Sequence, residues 1–306
     1  MSREEFCQKV TDFIQYLQVE RNFSHHTVRA YRADLKLFTL FWEQLSPQEE
    51  SALTLRQVIE RYLVSLYYKK IDKSSIARKL SCFQSLAKYL RAQGIKLNLD
   101  LKRPRLDKKL PIFLSIDEIR HLLDGVPDDQ LPTPYPIRNK TIFELLYATG
   151  IRCSELVKIR LCDIDTTNRT IRIRGKGQKE RMVLFGKKAL KRLNAYLEIE
   201  RPQPRSAEEP LFLNRKQKGL TSRSIQRVLE MFRPFLKVNR PITPHKLRHS
   251  FATHLLNQGA DLRVVQELLG HRSLSSTEKY THVSLEKLTE MCNTIHPINA
   301  MLRKRK

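Results

Sequence analysis

The spacing of apolar residues is the feature that most constrains how this chain can fold. Over residues 1–97, apolar side chains recur at intervals of three and four, which places them on one face of an α-helix. Four such stripes are present, running from Phe6 to Leu17, Val28 to Trp42, Leu55 to Leu66 and Ile76 to Leu90. Amphipathic helices must bury their apolar faces against one another. The pattern therefore predicts a helical bundle, with the aromatic residues serving as core.

The helical pattern stops over residues 98–113, which contain two prolines and carry five basic residues against two acidic ones. This composition is typical of an exposed, basic linker. Ser115 and Glu118 then form a capping box, which predicts the start of a new helix. We expect a second domain over residues 114–306, ending in the basic tail Arg303–Lys306.

The second domain is predicted to be largely helical, with a small antiparallel β-hairpin. One helix should stop at Gly150, and a short helix should follow through Glu155. Residues 170–174 alternate apolar and polar side chains, residues 175–177 can turn the chain, and residues 181–185 return. The predicted fold class is mainly α, a helical bundle followed by an α+β domain.

The net charge of the chain indicates which kinds of molecule it could bind. Lysine and arginine total 57 against 32 acidic residues, a formal net charge of +25 over 306 residues. Such an excess favours an anionic partner, either nucleic acid or an acidic membrane. No run of 18 apolar residues exists, and the first residues carry two acids where a signal peptide needs cations. We expect a cytoplasmic protein that binds nucleic acid and no membrane.

The stretch around His245 could hold a phosphate. The Thr-Pro pair at 243–244 predicts a helix start, where free N–H groups and the helix dipole attract anions, and Arg248 shares a face with His245. The pair His245 and His249 also has the spacing of zinc ligands, but Lys246 and Arg248 would repel a cation. The residues alone also fit a basic surface helix.

Other side chains could do chemistry, and each has an ordinary structural alternative. Glu155 could orient Arg152, three residues before it, although a surface ion pair is equally consistent. Lys176, at the hairpin tip, could protonate a leaving oxygen as a general acid. His271 follows the glycine that ends a predicted helix, which would fix its imidazole. Tyr280 could act as a nucleophile only beside a base and cations, because its ordinary pKa is near 10.

Several motifs are absent. The sequence contains no phosphate-binding glycine loop, no dinucleotide fingerprint, no cluster of acids like a two-metal nuclease, and no C-x-x-C pair among its five cysteines. Phosphoryl chemistry in this chain is therefore expected to need no metal and no cofactor.

Four blocks together resemble the tyrosine recombinase (phage integrase) family, and in particular the Xer recombinases of bacteria. The blocks are Ala148–Leu156 with Arg152, Gly175–Arg181 with Lys176, His245–His254 with Arg248, and Leu268–Val283 with His271 and Tyr280. Their order and spacing are those of the family. Residues 20–35 resemble the amino-terminal DNA-clamping helices of Xer proteins, so the resemblance covers nearly the whole chain. Departures lie at residues 126–136, at residues 298–300 and in the basic tail.

The resemblance implies site-specific DNA strand exchange. Tyr280 would attack a scissile phosphate, forming a 3′-phosphotyrosyl bond and releasing a 5′-hydroxyl, with neither metal nor ATP. The remaining roles are implied residue by residue: Arg152, Arg248 and His271 would stabilise the phosphorane, Lys176 would protonate the leaving oxygen, His245 would assist proton transfer, and Glu155 would hold Arg152. The same block pattern favours His245 over His249.

The resemblance also implies partners. The two domains would clamp duplex DNA, and four subunits would act on two sites through a Holliday junction. The partner would be a paralogous Xer recombinase, the regulator a DNA translocase, and the task the resolution of chromosome dimers at cell division. A terminal helix with Leu285, Leu288 and Met291 would pack into a neighbouring subunit, although its stripe also fits an intramolecular core. Neither the target site nor the choice between XerC-like and XerD-like follows from the sequence.

Three alternatives remain open. A phage or transposon integrase of the same family would share every catalytic residue. A type IB topoisomerase would use similar residues, but the amino-terminal bundle argues against it. A catalytically silent DNA-binding protein would be expected to lack part of the set, whereas all six expected side chains are present.

Overall fold

The computed structural model describes residues 1–99, 101, 104, 113–175 and 180–269. The chain divides into two compact units, Met1–Leu110 and Pro111–Lys306. Most of the predicted linker, the predicted terminal helix and the basic tail lie outside the described residues.

The first unit is helical. Its helices are α1 (Arg3–Val19), α2 (His25–Trp42), α3 (Pro47–Ala52), α4 (Leu55–Tyr68) and α5 (Lys73–Ala92). The four long helices confirm the four apolar stripes. The short α3 was not predicted, because it buries no side chain and so has no apolar period. Its signal was local, a capping box formed by Ser46 and Glu49.

The core of this unit is aromatic, as expected. Phe38 of α2 packs edge-on against Tyr62 of α4 and Phe83 of α5, with ring centroids 5.4 and 5.1 Å apart. Phe6 of α1 also packs against Phe38, with ring centroids 5.3 Å apart. A charged pair is also buried here, since Lys79 Nζ donates to Asp34 Oδ1 at 2.7 Å. Packing of these stripes accounts for the bundle.

The second unit contains helices and one small sheet within its described residues. The helices are α6 (Ile116–Arg120), α7 (Pro136–Thr149), α8 (Cys153–Leu156), α9 (Lys187–Ala195), α10 (Ser222–Glu230), α11 (Pro244–Asn257) and α12 (Leu262–Leu269). The Ser115–Glu118 capping box opens α6 as predicted. The predicted stop at Gly150 and the short helix after it are likewise confirmed.

The sheet is antiparallel, in the order β1 (Ile164–Asp165), β2 (Thr170–Arg174), β3 (Glu180–Leu184). Strands β2 and β3 form the predicted hairpin, paired from Thr170 with Leu184 to Arg174 with Glu180. The two-residue β1 was not predicted, because it is too short to show alternation.

Helix α7 lies at the centre of the second unit. Every residue from Arg138 to Thr149 is buried, so the helix is enclosed by its neighbours, among them α9 and α11. The buried carboxylate of Glu144 is paired, since Arg192 Nε donates to it at 3.1 Å. The helix ends at Gly150, whose φ of +60° sends the chain directly into α8.

Gly150 is required by space as well as by φ. A Cβ at this position would overlap the Phe251 ring of α11 and press against Leu269 of α12. Glycine therefore lets α7, α11 and α12 converge at one point, which positions the residues described next.

Among the described residues, none of the helices combines the length and the apolar composition needed to cross a bilayer.

Candidate active site

A carboxylate, Glu155, is the centre of the candidate site. It lies on α8, and its side chain is only 6% exposed. Its Oε2 accepts from the backbone N–H of Arg152 at 2.8 Å, and its Oε1 accepts from the Arg152 guanidinium at 3.1 Å. The i, i+3 pair predicted from the sequence is therefore formed, and it is half buried rather than a surface pair.

A second arginine holds the same carboxylate. Arg181 of β3 donates from Nη1 to Oε1 at 3.0 Å and from Nη2 to Oε2 at 2.9 Å, a bidentate pair. Burial by itself would raise the pKa of Glu155, but the hydrogen bonds from Arg181 and from the Arg152 backbone outweigh it, so the pKa lies below its ordinary value. Glu155 is therefore ionised at neutral pH.

Arg152 is presented to solvent. It is the N-cap residue of α8, in an extended backbone conformation, and its side chain is 48% exposed. Among the residues that the structure describes, Glu155 is the one that accepts from its guanidinium, through Nη1. Within the described part of the chain, this exposure leaves the guanidinium accessible to an anion.

Arg248 is buried within α11, at 8% exposure. Its Nη1 donates to the carbonyl oxygen of Gly150 at 2.7 Å, and its Nη2 donates to that of Leu269 at 2.5 Å. The first carbonyl is that of the α7 C-cap, where a helix leaves acceptors unpaired, and the second is that of Leu269 in α12. Arg248 therefore connects three helices while its charge stays at the site.

The three arginines are close enough to affect one another. Burial lowers the pKa of Arg248 to about 10, and repulsion from Arg152 and Arg181 acts in the same direction, while Glu155 opposes it. Arg248 is still cationic at neutral pH. Three cations around one carboxylate leave an excess of two positive charges, a potential that attracts and stabilises an oxyanion.

His245 and His249 differ in their surroundings. Thr243 caps α11 by accepting from the Lys246 N–H at 3.2 Å, as predicted, which places His245 in the first turn. His245 is exposed, whereas His249 is partly buried and packs edge-on against Phe113, with centroids 6.4 Å apart. The sequence could not choose between these histidines by spacing, and the structure leaves His245 as the accessible one.

The structure therefore brings part of the predicted set together. Arg152, Glu155 and Arg248 converge, and His245 lies on the same helix as Arg248. The predicted positions of Lys176, His271 and Tyr280 lie outside the described residues.

Sequence reasoning missed Arg181 as a site residue. It lies 26 positions after Glu155, so no local spacing connects the two. The available signal was its place at the end of the lysine-hairpin block, on the strand that leads back from the turn.

The part of the chain that the structure describes contains no recognisable metal-binding site. Within it, no group of three or more histidine, cysteine, aspartate or glutamate side chains is arranged to hold a metal ion. His245 and His249 thus have no third ligand among the described residues.

Comparison with known proteins covers both units. The phage integrase family matches residues 113–287, and the phage integrase N-terminal SAM-like domain matches residues 10–94. The tyrosine recombinase XerC of Thermodesulfovibrio yellowstonii is 38% identical over 298 residues, covering 95% of this chain and 96% of that protein. The tyrosine recombinase XerC of Staphylococcus aureus strain JH9 is 41% identical over 288 residues, covering 93% and 95%.

Solved structures agree at the level of the fold. The XerH site-specific recombinase bound to its difH substrate matches with a TM-score of 0.66 at 23% identity, over 93% of this chain and 83% of that chain. The Tn1549 transposon integrase in complex with circular intermediate DNA matches with a TM-score of 0.64 at 17% identity, over 92% and 98%.

The matched domains and the arginine-rich site define the class: the chain belongs to the phage integrase family. Its similarity to XerC proteins over nearly its whole length places it among the Xer-type tyrosine recombinases, which confirms the resemblance seen in the sequence. The protein is a site-specific DNA recombinase.

Proposed function

We propose that the protein cuts and rejoins DNA strands by transferring a phosphodiester to Tyr280. The observation that carries this proposal is the cluster of Arg152, Arg181 and Arg248 around Glu155. Phosphoryl transfer without a metal needs fixed cations where negative charge builds up, and these side chains are fixed by named partners.

Arg152 and Arg248 differ in burial, and we assign them complementary roles. Arg152 is half exposed and meets the non-bridging oxygens of the scissile phosphate through the part of its guanidinium that Glu155 leaves free. Arg248 is held by two carbonyls and contributes a charge whose position does not depend on the DNA. Such preorganised groups stabilise a pentacoordinate phosphorane without reorganising during the reaction.

The transfer balances as a reversible exchange. The Tyr280 oxygen forms a bond to phosphorus as the bond to the 5′-oxygen breaks, and the DNA 3′ end stays attached through phosphotyrosine. His245 takes part in moving the tyrosine proton, Lys176 gives a proton to the leaving 5′-oxygen, and His271 donates to the phosphorane. Because the phosphodiester energy is retained, rejoining uses the same steps in reverse, with neither ATP nor metal.

The cellular setting is proposed from the relatives. Since proteins 38–41% identical are named XerC, we place this chain in a pair of paralogous Xer recombinases acting as a tetramer on two DNA sites in the cytoplasm. The proposed task is resolving chromosome dimers at cell division, through a Holliday junction and under a DNA translocase. An XerC-like identity fits the names of these relatives.

The decisive experiment uses a suicide duplex that carries a candidate recombination site with a nick beside the cleavage point. Purified protein is incubated with the duplex in EDTA, and covalent adducts are resolved on a denaturing gel. We expect an adduct with the wild type and none with Tyr280→Phe. Tyr68→Phe, at an 85% exposed tyrosine of the first unit, is the matched control and should form the adduct normally.

Two outcomes separate this proposal from its alternatives. If the paralogous recombinase is required, adding it restores the adduct. If salt-sensitive DNA binding occurs with no adduct even when the paralogue is present, the protein is a silent DNA-binding protein and the proposal fails.

A further inference from the structure

We propose that Arg181 is a positioning residue of the active site, which neutralises Glu155 and so keeps the Arg152 guanidinium available for the scissile phosphate. The inference rests on the proposed function and adds to it a residue that never needs to touch the DNA.

The geometry around Glu155 is the first step of the argument. From the described residues, its two carboxylate oxygens accept four hydrogen bonds: two from the Arg181 guanidinium, one from the Arg152 guanidinium and one from the Arg152 backbone. A carboxylate has about four acceptor positions, so all of them are used. Arg181 takes the bidentate arrangement, and the Arg152 side chain makes a single bond to this carboxylate.

The charges give the second step. A buried carboxylate without a counter-charge is costly, and it attracts the nearest cation. If Arg181 were absent, Arg152 would be the cation adjacent to Glu155 in sequence and space, and it would turn its fork towards the carboxylate. Glu155 would then neutralise the charge of Arg152, which would no longer be available to the phosphate. With Arg181 present, the pair is already neutral and Arg152 stays half exposed.

The position of Arg181 gives the third step. It lies on β3, opposite Ile173 of β2, five positions after Lys176 in the sequence. Its side chain is 20% exposed, so its pairing with Glu155 is shielded from solvent. The pair therefore also ties the hairpin to α8, which bears Arg152 at its N-cap.

The test is a double-mutant cycle on the rate of adduct formation in a single turnover, measured at saturating protein. Arg181→Gln should slow the reaction by roughly tenfold to a hundredfold, as expected for a hydrogen-bonded charge, while DNA affinity changes less than about threefold. Glu155→Gln/Arg181→Gln should react faster than Arg181→Gln alone, because no carboxylate remains to draw Arg152 away.

Two further variants control for folding and for charge. Arg172→Gln removes a cation from the same hairpin, where it pairs with Asp163 and not with Glu155, and it should react within about threefold of the wild type. Arg181→Lys keeps the charge without the fork, so its rate should lie between those of the wild type and Arg181→Gln. It also serves as the test variant if Arg181→Gln does not fold.

The inference is overturned if Arg181→Gln reacts at the wild-type rate, or if the double variant is slower by the product of the two single effects. The second result would mean that Arg181 acts independently of Glu155. If the wild type itself forms no adduct, the proposed function fails first, and the two failures are thereby distinguished.

Discussion

Arg152 and Arg248 are the same residue type in opposite environments, and this difference separates their contributions. The Arg152 side chain is 48% exposed and bonded to a carboxylate that has a second arginine partner. Arg248 is 8% exposed and donates to the backbone carbonyls of Gly150 and Leu269. We therefore expect Arg152 to contribute less to the free energy of folding than Arg248 does.

Alanine substitutions should show this contrast. Arg248→Ala removes the side-chain donors to the carbonyls of Gly150 and Leu269, and we expect a loss of about 3 kcal/mol in the free energy of unfolding. Arg152→Ala should cost no more than about 1 kcal/mol, since Arg181 still pairs with both Glu155 oxygens and the backbone N–H at position 152 is retained. Both should abolish adduct formation. Urea denaturation measures the stabilities, and equal losses for the two variants would contradict this account.

The pKa of Glu155 predicts a pH dependence of stability. Since its pKa in the folded protein lies below the ordinary value of 4.5, the ionised carboxylate stabilises the fold above that pH. This contribution is lost as the pH falls through the lowered pKa. The wild type should therefore be more stable than Glu155→Gln at pH 7, and the difference should shrink below about pH 4.5. Urea titrations across pH 3–7 measure it, and a constant difference would refute the assignment.

Residue-level prediction from the sequence succeeded where contacts are local. Arg152 and Glu155 are three apart, so helical spacing alone suggested their pairing. Arg248 was a candidate from its own helix, but its carbonyl partners lie 98 and 21 positions away and no pattern reveals them. Arg181 was missed for the same reason. Long-range pairing depends on how the elements converge, which periodicity does not encode.

At the scale of elements, the convergence of α7, α11 and α12 at Gly150 organises the described site. The Gly150 carbonyl accepts from Arg248, and the lack of a Cβ lets Phe251 and Leu269 approach. The chain then enters α8 directly, which brings Arg152 beside this junction. Gly150 thus allows the three helices to pack closely and, through the same contacts, determines where Arg152 and Arg248 lie.

Gly150→Ala should therefore be unusually harmful. Alanine would be strained at a φ of +60° and would also overlap the Phe251 ring, so we expect a loss of about 3 kcal/mol or more. Gly259→Ala is the matched control, because its φ of +87° imposes the same backbone strain while its Cβ would meet open space. It should cost about 1 kcal/mol. Comparable losses in urea denaturation would show that packing at Gly150 is not critical.

Whether a helix or strand could be predicted from the sequence depended on its length and on how amphipathic it is. The long helices of the first unit and the β2–β3 hairpin have clear periods and were found. The six-residue α3 and the two-residue β1 were too short to show one. Helix α7 was recognised by its stop at Gly150, although its burial on all sides hides any amphipathic stripe.

For the whole molecule, the sequence alone establishes a net charge of +25. The proposed activity requires binding to DNA, which positive charge favours. Lysine and arginine side chains that neutralise DNA phosphates release the counterions bound to them. The charge therefore predicts how binding responds to salt, whichever DNA site is used.

DNA affinity should fall steeply with ionic strength. If six to ten phosphates are contacted, raising salt from 50 to 200 mM should weaken binding by roughly 10³- to 10⁵-fold, with a linear plot of log K against log salt. Fluorescence anisotropy with a labelled duplex gives this slope. Tyr280→Phe should give the same slope as the wild type, because the phenol contributes no charge to binding. A slope near zero would rule out phosphate contacts as the main source of affinity.

The central claim is that Tyr280 forms the covalent bond to DNA. Mapping the covalent intermediate tests this claim most directly. The trapped adduct is digested with nuclease and trypsin, and the modified peptide is identified by mass spectrometry. Cleavage after Lys279 and Lys287 yields a peptide that begins with Tyr280. We predict that this peptide carries a nucleotide through a 3′-phosphotyrosyl bond. A nucleotide on any other residue, or one attached through its 5′ end, would contradict the account.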